Sequence, residues 1–198
     1  MKLSVISQYL PELNVMIKLL RFKHWQLFGL LFVVPMIFQS LAMLSILETG
    51  KPTIMLVVFP IMMLLYVGIL FGWLYELGTN LYEKLPETVN MNLGKFKTCI
   101  FIPVAYILLI LIFLLGMAFQ ISVDPNPLVF ILLIPIHVFS MFCIFYCLYF
   151  NAKALKAVEW QKNVNFSDYS GEFFLLWFFP FGIWILQPRI NKLFDDNG

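Results

Sequence analysis

Trp25 to Leu47 reads WQLFGLLFVVPMIFQSLAMLSIL, 23 residues without an Asp, Glu, Lys or Arg. At about 1.5 Å per residue a helix of that length covers roughly 34 Å, enough for a hydrocarbon core of about 30 Å. Lipid offers no hydrogen bonds to the backbone, so such a segment crosses as a helix that satisfies its own amides. After Glu48-Thr49-Gly50-Lys51 a second uncharged run begins, 24 residues from Pro52 to Tyr75. It ends in Gly72-Trp73-Leu74-Tyr75, with aromatic side chains of the kind that settle at a membrane interface. The short connection makes the two runs a tight helical hairpin.

The pattern repeats. Uncharged runs from Thr98 to Val123 and from Pro127 to Ala152 are joined by Asp124-Pro125-Asn126, which reads as a turn followed by a helix start. The expected fold is therefore an all-α membrane protein, with four transmembrane helices in two short hairpins at 25–47, 52–75, 98–123 and 127–152. Residues 1–24 form an amino-terminal segment, 76–97 a cytoplasmic loop, and 153–198 a connector with a carboxy-terminal aromatic re-entrant or interfacial helix. The composition agrees: 62% of the 198 residues are apolar, 12% are charged and the mean hydropathy is +0.90. An ordinary soluble domain is about 25% charged, so disorder and a water-soluble nucleic-acid-binding domain are excluded.

The few charges orient the chain. Ten basic residues fall in three segments: Lys2, Lys18, Arg21 and Lys23; Lys84, Lys95 and Lys97; Lys153, Lys156 and Lys162. The two hairpin tips hold one, Lys51. Basic flanks stay on the cytoplasmic side, so both termini are expected there. The amino-terminal segment is expected to be retained, since no small-residue cleavage site follows the first apolar run. Leu13, Ile17 and Leu20 share a helical face, and the basic residues beside them suit either a membrane-surface helix or a flank that simply sets topology.

Phe173 to Pro188 is uncharged for 16 residues, about 24 Å as a helix, and is interrupted by Pro180 and Gly182. That is short for a crossing. A crossing would also put Arg189 and Lys192 outside, against the charge bias. Asp168 or Ser170 is expected to cap this helix, with Glu172 in its first turn. Ala152 to Glu159 should continue the fourth span out of the membrane with Lys153 and Lys156 snorkelling.

Several residues could carry function. Pro35, Pro60, Pro103 and Pro135 give each span one proline, read either as hinges around a mid-depth cavity or as ordinary kinks in a packed bundle. The segments around Pro35 and Pro135 align, mostly apolar on apolar, which raises an internal duplication. Gly68 and Gly72 form a G-x-x-x-G pair whose stripe continues to Glu76, a helix-packing or oligomer face. His137 is an ionisable side chain well inside a span, either a functional site or a neutral ring bonded to a kink-freed carbonyl or a serine.

Enzymatic chemistry finds little footing. His24 and His137 lie at different depths, Cys99, Cys143 and Cys147 sit in apolar stretches, and no nucleophile triad, phosphate loop or metal motif occurs. No catalytic residue, metal or cofactor is expected; Glu76 and Asp168 are the carboxylates an intramembrane enzyme would have to use.

The stretches Glu76-Leu77-Gly78-x-x-Leu81-x-x-Lys84-Leu85-Pro86 and Phe181-Gly182-Ile183-Trp184-x-x-Gln187-Pro188-Arg189-Ile190-Asn191 carry a resemblance. The chain resembles, over nearly its whole length, a family of small four-span membrane proteins of Bacteroidota-type bacteria. It is also similar to the small membrane proteins encoded beside RNA-targeting type VI-B CRISPR effectors. The resemblance implies a non-enzymatic accessory role in prokaryotic defence and supplies no ligand residues. Trp177, Pro180, Gly182, Trp184, Gln187, Pro188, Arg189 and Asn191 form the candidate carboxy-terminal motif. The function expected is assembly: an accessory protein that oligomerises, forms a pore or regulates a cytoplasmic partner. The alternative is a small-solute or lipid transporter with a cavity at the proline kinks and His137. The expected partners are the lipid bilayer, a second copy and a cytoplasmic protein, without direct nucleic-acid binding.

Overall fold

The computed structural model describes residues 19–50, 53–118 and 127–195. The expected surface helix through Leu13 and Ile17, the hairpin tip at Lys51 and the Asp124-Pro125-Asn126 turn lie outside these residues. The described chain is α-helical: α1 (His24–Phe28), a π-helical turn (Gly29–Val33), α2 (Val34–Thr49), α3 (Thr53–Glu83), α4 (Leu93–Ala118), α5 (Pro127–Trp160), α6 (Phe166–Trp177) and α7 (Phe179–Asp195). Four helical stretches, His24–Thr49, Val57–Glu83, Leu93–Gly116 and Leu133–Trp160, are long and apolar enough to cross a bilayer. The protein has the all-α, multi-pass architecture of a membrane protein.

The polar stretch 76–97 is mostly helix rather than loop. α3 runs on to Glu83 and α4 begins at Leu93, because Leu77 and Leu81 continue the buried face of α3 and Phe96 that of α4. Burial of those apolar side chains outweighs the polarity of their neighbours. Gly50 ends α2 with φ 67°, in the left-handed region open to glycine, and its amide donates to the Ile46 carbonyl at 2.8 Å.

The prolines differ in kind. The amide that Pro35 lacks would in an α-helix reach Leu31, and Leu31 lies in the π-helical turn just before α2. Pro35 therefore stands in the first turn of α2, where a missing donor costs little. Pro60, Pro103 and Pro135 lie inside α3, α4 and α5.

Two compact units emerge. One combines Leu30–Phe71 with Asn92–Tyr149. Its buried side chains include Leu31, Ala42, Met62, Phe96, Ile100 and Leu111, and Phe32 meets Tyr66 edge to face. The other combines the described parts of Met1–Gly29 with Gly72–Met91 and Phe150–Gly198. Its core holds Trp73, Leu77, Leu81, Phe150, Leu155 and Ile183. Ala152, Ala154 and Ala157 of α5 are fully buried there, so the segment expected to emerge into water is core, with the Lys153-Lys156-Glu159 side left for polar partners.

Candidate functional site

The polar side chains of the second unit gather around the carboxy-terminal motif. Its geometry starts with two helices where the sequence suggested one apolar segment. α6 starts at Phe166 with Asn165 as its cap, not Asp168 or Ser170. Asp168 is the third helical residue, and its carboxylate accepts the Asn165 amide at 2.8 Å, the reciprocal half of a capping box. Glu172 consequently falls past the first turn.

The chain breaks at Phe178 (φ −88°, ψ 54°), two residues before the proline expected to interrupt it. Pro180 lies in the first turn of α7, where proline is preorganised for a helix. α7 then folds back on α6 so closely that a Cβ at Gly182 would collide with the backbone carbonyl of Leu175. Glycine is what permits this corner.

On α7, Ile183, Leu186 and Ile190 recur at helical spacing and are buried, and Gln187 falls on the same face with 0% exposure. Its Oε1 accepts from Trp73 Nε1 at 3.0 Å, and its Nε2 donates to the carbonyls of Leu20 and Phe22, each at 2.8 Å. Those carbonyls belong to the turn between residues 19–20 and α1, where the helical ladder leaves them without partners. Asn191, one turn further, reaches the same turn. A single buried amide thus ties α7 to α3 and to the entry of the first span. Gln187→Leu keeps the volume but strands the indole N–H and two carbonyls. It should cost about 2 kcal/mol, read as a lower melting temperature in nanodiscs.

The second cluster is ionic. Arg189 Nε donates to Glu159 Oε1 at 2.9 Å, and its Nη2 bonds both Glu159 and, at 2.7 Å, Glu172. Lys156 Nζ donates to the same Glu172 oxygen at 3.0 Å. Burial pushes the Glu172 carboxyl up, but the hydrogen bonds from Arg189 and Lys156 outweigh it and hold the group below the usual carboxylate range. The two carboxylates push the Arg189 guanidinium further up. Arg189 and Lys156, expected to mark a surface, are consumed in this network. Lys156 also lies 4.5 Å from the Trp160 ring centre, which Lys162 approaches at 4.6 Å from its own side.

Trp184 packs on His24 at 4.7 Å and Phe28 at 5.5 Å while half-exposed. Phe174, Trp177, Phe178 and Phe181 are exposed as well, which gives α6, α7 and the corner between them an exposed aromatic surface. Pro188 lies inside α7 between Gln187 and Arg189.

The remaining candidates are dispersed. A Cβ at Gly72 would meet Leu19 at ordinary contact distance, and Glu76 is buried with Asn80 Nδ2 3.3 Å from its carboxylate. Those two positions face this chain's own residues, whereas Gly68 opens on free space. Pro35, Pro60 and Pro103 are buried; Pro135 and His137 are exposed, on the outside of their unit rather than lining its interior. Among the described residues the partner of His137 is neither a backbone carbonyl nor a serine: its Nδ1 lies 3.1 Å from the Tyr106 hydroxyl. Cys143 and Cys147 are buried and Cys99 half-buried, and no disulfide joins cysteines among the described residues. Among the described residues no three His, Cys, Asp or Glu side chains gather so as to hold a metal ion.

The sequence singles out Gln187 within the carboxy-terminal motif but not its role as a buried hub. Its signal was the position of an amide on the face defined by Ile183, Leu186 and Ile190. No protein-family model, no curated protein and no solved structure matches this chain.

Proposed function

We propose that the protein is a non-enzymatic, multi-pass inner-membrane protein that acts by association in the plane of the bilayer, with its own copies or with a partner it regulates. The observation that carries this reading is how little the spans cover one another: between 17% and 33% of each apolar window is buried within the chain. Helices in lipid associate by packing and by hydrogen bonds between helices, and surfaces left open on this scale are available for lateral contacts. The polar groups of the α6–α7 unit support the same reading, because Gln187, Arg189, Glu172, Glu159 and Lys156 bond to one another and to the backbone in a scaffold.

The ten-to-one basic asymmetry of the sequence supports cytoplasmic termini. The exposed aromatic surface of α6 and α7 suits the headgroup level on that side. In the defence setting implied by the resemblance to CRISPR-linked membrane proteins, such association would permeabilise the membrane or control a cytoplasmic partner.

The test is extraction in polymer-bounded native nanodiscs with a fluorescent label and counting of photobleaching steps, together with identification of co-extracted proteins. More than one copy per disc, or a stoichiometric partner, is expected. Single steps throughout with no partner would overturn the proposal.

A further inference from the structure

Every residue of α5 from Ile134 to Phe139 is exposed, so this stretch of the helix is open on all sides apart from its contact with α4 through His137. Most of it is what lipid accepts: Ile134, Ile136, Val138 and Phe139. His137 is not. Counted from Pro127 at about 1.5 Å per residue, it sits about 15 Å along the helix, within the hydrocarbon zone of a core about 30 Å thick. Its hydrogen-bond partner among the described residues is the Tyr106 hydroxyl of α4, 3.1 Å from Nδ1 and therefore at the same depth.

An imidazole and a phenol have more hydrogen-bonding capacity than one mutual bond uses. If Tyr106 donates to Nδ1, the ring presents an Nε2–H donor and the phenol oxygen a free acceptor. If Nδ1–H donates to Tyr106, the ring presents an Nε2 acceptor and the phenol a free O–H. In either tautomer the pair shows one donor and one acceptor to its surroundings, and lipid tails can satisfy neither.

We propose, building on the association argued above, that the His137–Tyr106 pair is the polar centre of an interface with a second copy of this chain. The pair is self-complementary. Two copies inserted in the same direction and related by a two-fold axis along the membrane normal hold His137 and Tyr106 at equal depth. His137 of each copy then bonds Tyr106 of the other, which closes both unsatisfied positions at once. Isologous contact of this kind is the commonest way for identical chains to pair. Ile134, one turn from His137 on the same helix face, supplies apolar packing beside the bonds.

The test uses the full chain in native nanodiscs, with His137→Ala, Tyr106→Phe and Ile134→Cys. His137 is exposed and Tyr106→Phe retains the ring, so both variants should melt with the parent. Each should self-associate about eightfold more weakly, the equivalent of ~1.2 kcal/mol for two interhelical bonds in lipid. Ile134→Cys should form a disulfide-linked dimer on oxidation in the membrane, above the level of the parent chain. Self-association that survives both substitutions undiminished overturns this interface and leaves the proposed association standing. A chain found as single copies with a different partner overturns the second copy as occupant. Single copies with no partner overturn this interface and the association together.

Discussion

Gly182→Ala is expected to destabilise the protein by about 3 kcal/mol or more, and Gly182→Val to prevent the α6–α7 corner from forming, whereas Gly171→Ala is expected to stabilise it by about 0.5–1 kcal/mol. Both glycines are helical, and in an unobstructed helix alanine is preferred because it restricts the unfolded chain and has the better propensity. A Cβ at Gly171 meets nothing within 4 Å, so that preference is realised. At Gly182 the Cβ runs into the carbonyl group of Leu175, a backbone group that no side-chain rotation can move aside. α7 would have to lift from α6, and Ile183, Leu186 and Gln187, all buried, would lift with it. The opposite signs of the two glycine variants, read from thermal unfolding in nanodiscs, test the corner directly. Equal melting temperatures for Gly182→Ala and the parent would mean that the two helices do not approach as described.

That corner also marks where sequence reading reached its limit. The four spans were legible because hydrophobic length is a one-dimensional property, and charge-free runs such as Trp25–Leu47 need no knowledge of neighbours. Helix ends were less so. α3 continues to Glu83 through a polar stretch because Leu77 and Leu81 have somewhere to be buried, which is a tertiary fact. Pro180 and Gly182 stand out in the sequence, but their roles are not legible there. The proline starts a helix rather than interrupting one, and the glycine admits the preceding helix. His137 stood out by type and depth. Its partner Tyr106 lies 31 positions away, on another helix, and local periodicity gives no hint of such a pairing. A basic residue after an apolar run, as Arg189 is, ordinarily anchors at the surface. Only the folded chain brings Glu159 and Glu172 to Arg189.

Removing that arginine is expected to cost about 3 kcal/mol. Glu172 is 4% exposed and keeps its charge because Arg189 and Lys156 surround it. Breaking a buried pair from one side leaves an uncompensated charge. The figure stands at the low end of that class because 31% of the Arg189 side chain remains exposed. Arg189→Lys should lose less, since it retains the charge, but one ammonium cannot reproduce a fork held between two carboxylates. The dependence on pH separates this ion network from simple packing. In the parent the folded Glu172 titrates below the unfolded group. Its contribution is therefore present at neutral pH and is lost as pH falls below about 4.3, where an unfolded Glu takes up its proton, and on through the folded value. In Arg189→Ala/Lys156→Ala the two side-chain donors that lower the folded value are gone, and burial, the largest influence and one that raises it, is opposed only by a backbone hydrogen bond. The folded carboxyl then binds a proton more readily than the unfolded one, so that variant should gain stability as pH falls towards about 4.3, just above the range in which the parent loses it. Melting temperatures of parent and double variant measured from pH 7 to pH 4 should converge. Parallel curves would show that Glu172 is not held ionised by these two residues, and the loss in Arg189→Ala would then have to come from packing of its aliphatic stem.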